Sequence, residues 1–81
     1  MNNLIKAIQA AEAFALREET GVILTGARSM EITGQWIKVE GVRRAYHRTY
    51  VVNCASNQVF EVLGGSQMDD NALIRSALEA Y

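Results

Sequence analysis

The chain has 81 residues, 49% of them hydrophobic and 21% charged, which is ordinary usage for one globular domain and argues against disorder or a second core. Eight Lys and Arg stand against nine Asp and Glu, a net charge of −1, so phosphate binding would need the few cations to cluster. One cysteine, Cys54, rules out an intrachain disulfide and paired-thiol metal sites.

The segment from Met1 to Ala15 is interrupted by Lys6, Gln9 and Glu12, unlike the continuous apolar run of a signal peptide. No stretch reaches the ~20 apolar residues of a membrane helix. Together with the lone cysteine this makes a cytoplasmic setting the expectation, with no membrane partner. A domain this small buries a modest share of its surface, so homodimerisation would cover more of it.

Asn3 to about Glu18 reads as a helix. Asn2 or Asn3 can cap it, and Leu4, Ile8, Ala11 and Ala15 form one stripe with Ala7 and Phe14 at its margin. Thr20-Gly21 ends it. From Val22 to Leu63 the pattern turns to strands. Val22, Ile23 and Leu24 form a short run, and Met30 and Ile32 alternate with Ser29, Glu31 and Thr33. Gly26 and Gly34 mark turns.

Gln35 to Glu40 alternates Ile37 and Val39 with Lys38 and Glu40, and Gly41-Val42 suits a two-residue hairpin turn. That register sets Glu40 opposite Arg43 and Trp36 opposite His47. The longest strand runs from about Arg43 to Asn53, Ser56-Asn57 turns the chain, and Gln58 to Leu63 returns. Gly64-Gly65-Ser66 breaks the sheet. Ser66 and Asp69 resemble a capping box, and Leu73, Ile74, Ala77, Leu78 and Tyr81 give the final helix its apolar face over Asn71 to Glu79. The predicted architecture is α+β: an N-terminal helix, four to five antiparallel strands and a C-terminal helix, with both helices on one face of the sheet.

Chemistry concentrates in Arg43-Arg44-Ala45-Tyr46-His47-Arg48-Thr49-Tyr50. Alternation would place Arg44, Tyr46, Arg48 and Tyr50 on one strand face, a pattern suited to stacking single-stranded nucleic acid while cations follow its phosphates. The competing reading packs the tyrosines in the core and pairs the arginines with Glu31, Glu40 and Glu61. No RNA-binding aromatic motif, glycine loop or zinc finger accompanies the stretch. Helix, strands, helix is also the chain order of double-stranded-RNA-binding domains, but Asp69 and Asp70 stand where that module needs cations.

Trp36, alternating with inward Ile37, is the leading interface anchor. His47 has no second histidine or cysteine pair for a metal site, and Cys54 sits among valines like a small buried hydrophobe. Asp69-Asp70 is explained by the helix dipole. The sequence calls for no cofactor, metal or catalytic residue.

These observations point to a non-catalytic protein-binding module, a stoichiometric inhibitor or adaptor, using Trp36, Lys38, Arg43, His47 and Arg48. The second expectation is a nucleic-acid binder using Arg44, Tyr46, Arg48 and Tyr50. An enzyme or small-ligand carrier would need a cleft lined by His47 or Cys54. Small size without catalytic groups is similar in type to phage and mobile-element proteins that inhibit host machinery, anti-CRISPR proteins among them; no residue motif carries that likeness.

Overall fold

A computed structural model describes residues 3–79. In chain order it has α1 (Asn3–Glu18), β1 (Thr25–Thr33), β2 (Trp36–Arg43), β3 (Tyr46–Asn53), β4 (Gln58–Glu61), a short 3-10 turn (Gly65–Gln67) and α2 (Asp70–Glu79). The strands form one antiparallel sheet in the order β1-β2-β3-β4. The α+β class and the helix–sheet–helix order are as the sequence predicts. Val22 to Leu24 is not a strand; it connects α1 to β1 and buries Leu24. A cap from Asn2 and a helix face ending at Tyr81 lie outside the described residues.

Three alanines spaced four apart, Ala7, Ala11 and Ala15, form the line along which α1 meets the sheet, and all three are buried. Their small side chains let the helix sit close on Ile37, Val39, Tyr50 and Val52. The larger Leu4, Ile8 and Phe14 flank this line half-buried. Phe14 meets the Tyr50 ring edge-on at 5.9 Å between centroids.

The two helices lie on opposite faces, which corrects the expectation that they share one. Val52 belongs to the cluster under α1, whereas its neighbour Val51 packs with Val62, Leu73 and Ala77 under α2. Consecutive strand residues point to opposite faces, so the two clusters are separated by the sheet. The unbroken buried run from Thr49 to Asn53 is the mark of a strand covered on both sides. Gly65 lets the chain cross closely over β3: a Cβ there would lie 2.8 Å from Thr49 Cβ and 3.1 Å from Leu73 Cδ2. Asp69, rather than Ser66, caps α2, its Oδ1 accepting the Ala72 N–H at 2.8 Å.

The β2–β3 turn is also displaced from the predicted position. It falls at Arg44-Ala45, both at positive φ (52° and 67°), the signature of a type I′ hairpin turn built without glycine. Gly41 sits inside β2, where a Cβ would come within 2.8 Å of Leu24 Cδ1. It is a close-approach glycine, not a turn glycine. Gly26 likewise lies within β1, near a register shift. The true register pairs Arg43 with Tyr46, Val42 with His47, Gly41 with Arg48 and Trp36 with Asn53.

Candidate functional site

The register redistributes the residues expected to form one interface. Trp36, Lys38 and His47 share the α2 face, while Arg43 and Arg48 lie on the α1 face. Trp36 and His47 stand at opposite ends of the β2–β3 pair, about 20 Å apart at strand rise. Trp36 is half-buried against the α2 cluster, so it is a packing residue and not an exposed anchor. Arg43 is buried and donates from Nη2 to the Ala15 carbonyl at 2.8 Å, placing a cation at the C-terminal turn of α1 where the helix dipole favours it.

The alternative set is divided in the same way. Arg44 occupies the turn and pairs through Nε and Nη2 with Glu19, whose carboxyl is held below its ordinary range chiefly by that hydrogen bonding. Arg48 donates from Nη1 to Glu61 Oε2 at 2.9 Å. Tyr50 is fully buried; burial, then the nearby Glu61 charge, pushes its hydroxyl above the usual tyrosine range. Only Tyr46 projects freely, at 69% exposure. A stacking platform of two tyrosines flanked by free arginines is therefore not assembled.

What the structure does assemble is a cleft beside the first half of β3. It is lined by Tyr46, His47, Arg48 and Thr49 on one side and by Leu63 to Ser66 on the other. The cleft exists because β4 is short. The last backbone contact between the two strands is the Val62 N–H to the Thr49 carbonyl at 2.9 Å. The chain then turns at Leu63-Gly64, with Gly64 at φ 70°, and crosses to the α2 face. Ahead of Thr49 no strand among the described residues pairs with this side of β3. A second groove, on the α2 face, is bordered by Arg28, Glu40, Val42 and Ser66 and shares His47 with the first.

Leu63, at 79% exposure, was assigned by its sequence to the last strand; the glycine pair immediately after it is the signal that the strand stops short. Gly64 and Ser66 are further lining residues, in a segment whose sequence pattern reads more strongly as a helix start. In the cleft Arg48 is paired with Glu61, and in the second groove Arg28 stands opposite Glu40 on adjacent strands.

Packing and capping account for the remaining candidates. The Cys54 thiol is packed against the α1 core and burial pushes its pKa up, the reverse of what a nucleophile requires. Asp69 serves as a helix cap. Among the described residues no three His, Cys, Asp or Glu side chains gather as metal ligands, and no helix is long and apolar enough to cross a membrane. Comparison with protein-family models, with curated proteins and with solved structures finds no match to the chain.

Proposed function

We propose that this chain is a non-catalytic protein-binding module, an adaptor or stoichiometric inhibitor, whose docking surface is the cleft beside Tyr46–Thr49. One observation carries the reading: Tyr46 and Leu63, the two most exposed large apolar side chains among the described residues, border the same cleft. Exposed apolar groups flanking a concavity on a small domain mark interaction surfaces. His47 and Arg48 stay in the proposed site, while Trp36, Lys38 and Arg43 leave it. The lone half-buried Cys54 accords with work in a reducing, cytoplasmic compartment.

The test is capture of a discrete partner at defined stoichiometry by the tagged chain, compared with Tyr46→Ala combined with Leu63→Ser. Ile23→Ser serves as the control, since Ile23 is also exposed (59%) but lines a different groove, with Glu12, Leu16 and Leu24. Loss of the partner in the double variant alone supports the reading, and retention in a folded double variant refutes it. Nucleic-acid binding is the weaker alternative, because Arg44 and Arg48 already have carboxylate partners and Tyr50 is buried.

A further inference from the structure

Resting on the docking surface proposed above, we infer the form of its partner: an extended polypeptide segment, uncharged where it touches, added as a short strand beside Tyr46–Arg48. The argument is one of backbone direction. In a two-residue hairpin the pair closing the turn, here Arg43 and Tyr46, is hydrogen-bonded, so Tyr46, Arg48, Tyr50 and Val52 direct their N–H and C=O groups at β2. The alternate residues point the other way. Thr49 does so visibly, since its carbonyl accepts from Val62 across the β3–β4 boundary. By the same alternation His47 aims both backbone groups into the lane that β4 has left, and among the described residues no turn or loop backbone group bonds to them. A strand is the ligand that satisfies a donor and an acceptor on one residue at strand spacing.

The sheet's other long edge contrasts with this one. β1 presents nine residues, but two register shifts interrupt its pairing with β2, and Arg28 and Glu31 stand exposed on it. Bulges and charges are how edge strands resist added chains. The leading half of β3 pairs with β2 without a shift. Its surroundings also define the segment's chemistry. With Arg48 neutralised by Glu61, the walls of the cleft offer no net charge to a charged ligand, while Tyr46 and Leu63 offer apolar contact. The expected segment carries an aliphatic or aromatic side chain flanked by uncharged residues.

The probe is a display library of random linear dodecapeptides selected on the immobilised full chain, with the tightest binder then synthesised. The expected binder weakens about tenfold or more when single backbone amides are N-methylated, with the sensitive positions alternating along the peptide. It also slows exchange of the His47 amide, and weakens with Tyr46→Ala or Leu63→Ala. A binder that depends on Tyr46 and Leu63 yet tolerates N-methylation throughout and leaves His47 exchange unchanged overturns the strand inference and leaves the docking surface standing. Binders indifferent to both side chains, or no binder, overturn both. Concentration-dependent self-association that protects His47 identifies a second copy of the chain as the occupant and overturns the foreign segment.

Discussion

The hairpin register determines which backbone groups face the open lane; Ala45→Gly tests it, and Gly41→Ala tests the close approach of Leu24. Ala45 is held at φ 67° in the turn, a left-handed conformation that costs a non-glycine residue about 1–2 kcal/mol. Ala45→Gly removes that strain and returns about 0.5–1 kcal/mol to the unfolded chain as entropy, leaving a net gain of about 0.5 kcal/mol. Gly41→Ala places a Cβ 2.8 Å from Leu24 Cδ1, 2.9 Å from Leu24 Cγ and 3.1 Å from the Thr25 carbonyl oxygen. Backbone cannot yield as a side-chain tip does, so overpacking should cost about 1–3 kcal/mol. For a chain of this size that is a Tm fall of about 4 °C to more than 15 °C, against a rise of about 2–4 °C for Ala45→Gly. Urea unfolding gives both values, with unchanged m-values confirming that the native state is retained. With a turn at Gly41-Val42 the sign of Ala45→Gly would reverse, because Ala45 would then lie in mid-strand, where glycine destabilises, whereas Gly41→Ala would lose stability in either register. That outcome would refute the register, and it would also turn the His47 amide toward β2.

Three further outcomes follow from the packing and the titratable groups. Leu73 is fully buried beneath α2, so Leu73→Ala should cost about 2–5 kcal/mol in urea unfolding; a cost under 1 kcal/mol would mean that α2 is not seated on the sheet. Asp69→Ala should lose about 1 kcal/mol through its cap on Ala72, whereas Ser66→Ala should change little; the reverse order in thermal unfolding would restore Ser66 as the cap. Tyr50 has a raised pKa, so its contribution to stability is intact below the ordinary tyrosine range and is lost as pH rises through the folded-state value. Tyr50→Phe should therefore lose less stability than the parent between about pH 9 and 11. Parallel declines in denaturant midpoint would contradict the burial of this hydroxyl.

Elements defined by periodicity were readable from the sequence. Alanines four apart announced α1, the Gly34 turn separated β1 from β2, and Leu73 with Ala77 announced α2. The misreadings have common physical roots. Glycine next to a β-branched residue looks like a turn, and only a neighbour distant in sequence, Leu24, reveals that Gly41 was needed for close approach. Conversely, Arg44-Ala45 contains no residue that advertises positive φ. Which helix covers which face depends on how the chain returns after β4, and no local pattern encodes that. The consecutive apolar run Tyr50, Val51 and Val52 says only that β3 is covered on both sides, since a half-exposed strand would alternate.

Within the proposed site, His47 and Arg48 carry over from the sequence reading, where the concentration of chemistry drew attention to them. Arg43 and Tyr50 came from the same stretch, but side-chain type does not tell an inward arginine from an outward one when a helix terminus can accept the charge. Tyr46 entered through the nucleic-acid reading and is retained for a different reason, its exposure beside the cleft. Leu63 was missed because the strand was expected to continue through it.

Residue-resolved amide hydrogen exchange of the free chain tests the open edge most directly. The account predicts that the His47 amide exchanges like a solvent-exposed loop proton, while those of Arg48 and Tyr50, bonded to β2, are strongly protected. A His47 amide as protected as its two neighbours would show that the lane is already closed, and the proposed docking edge would not exist.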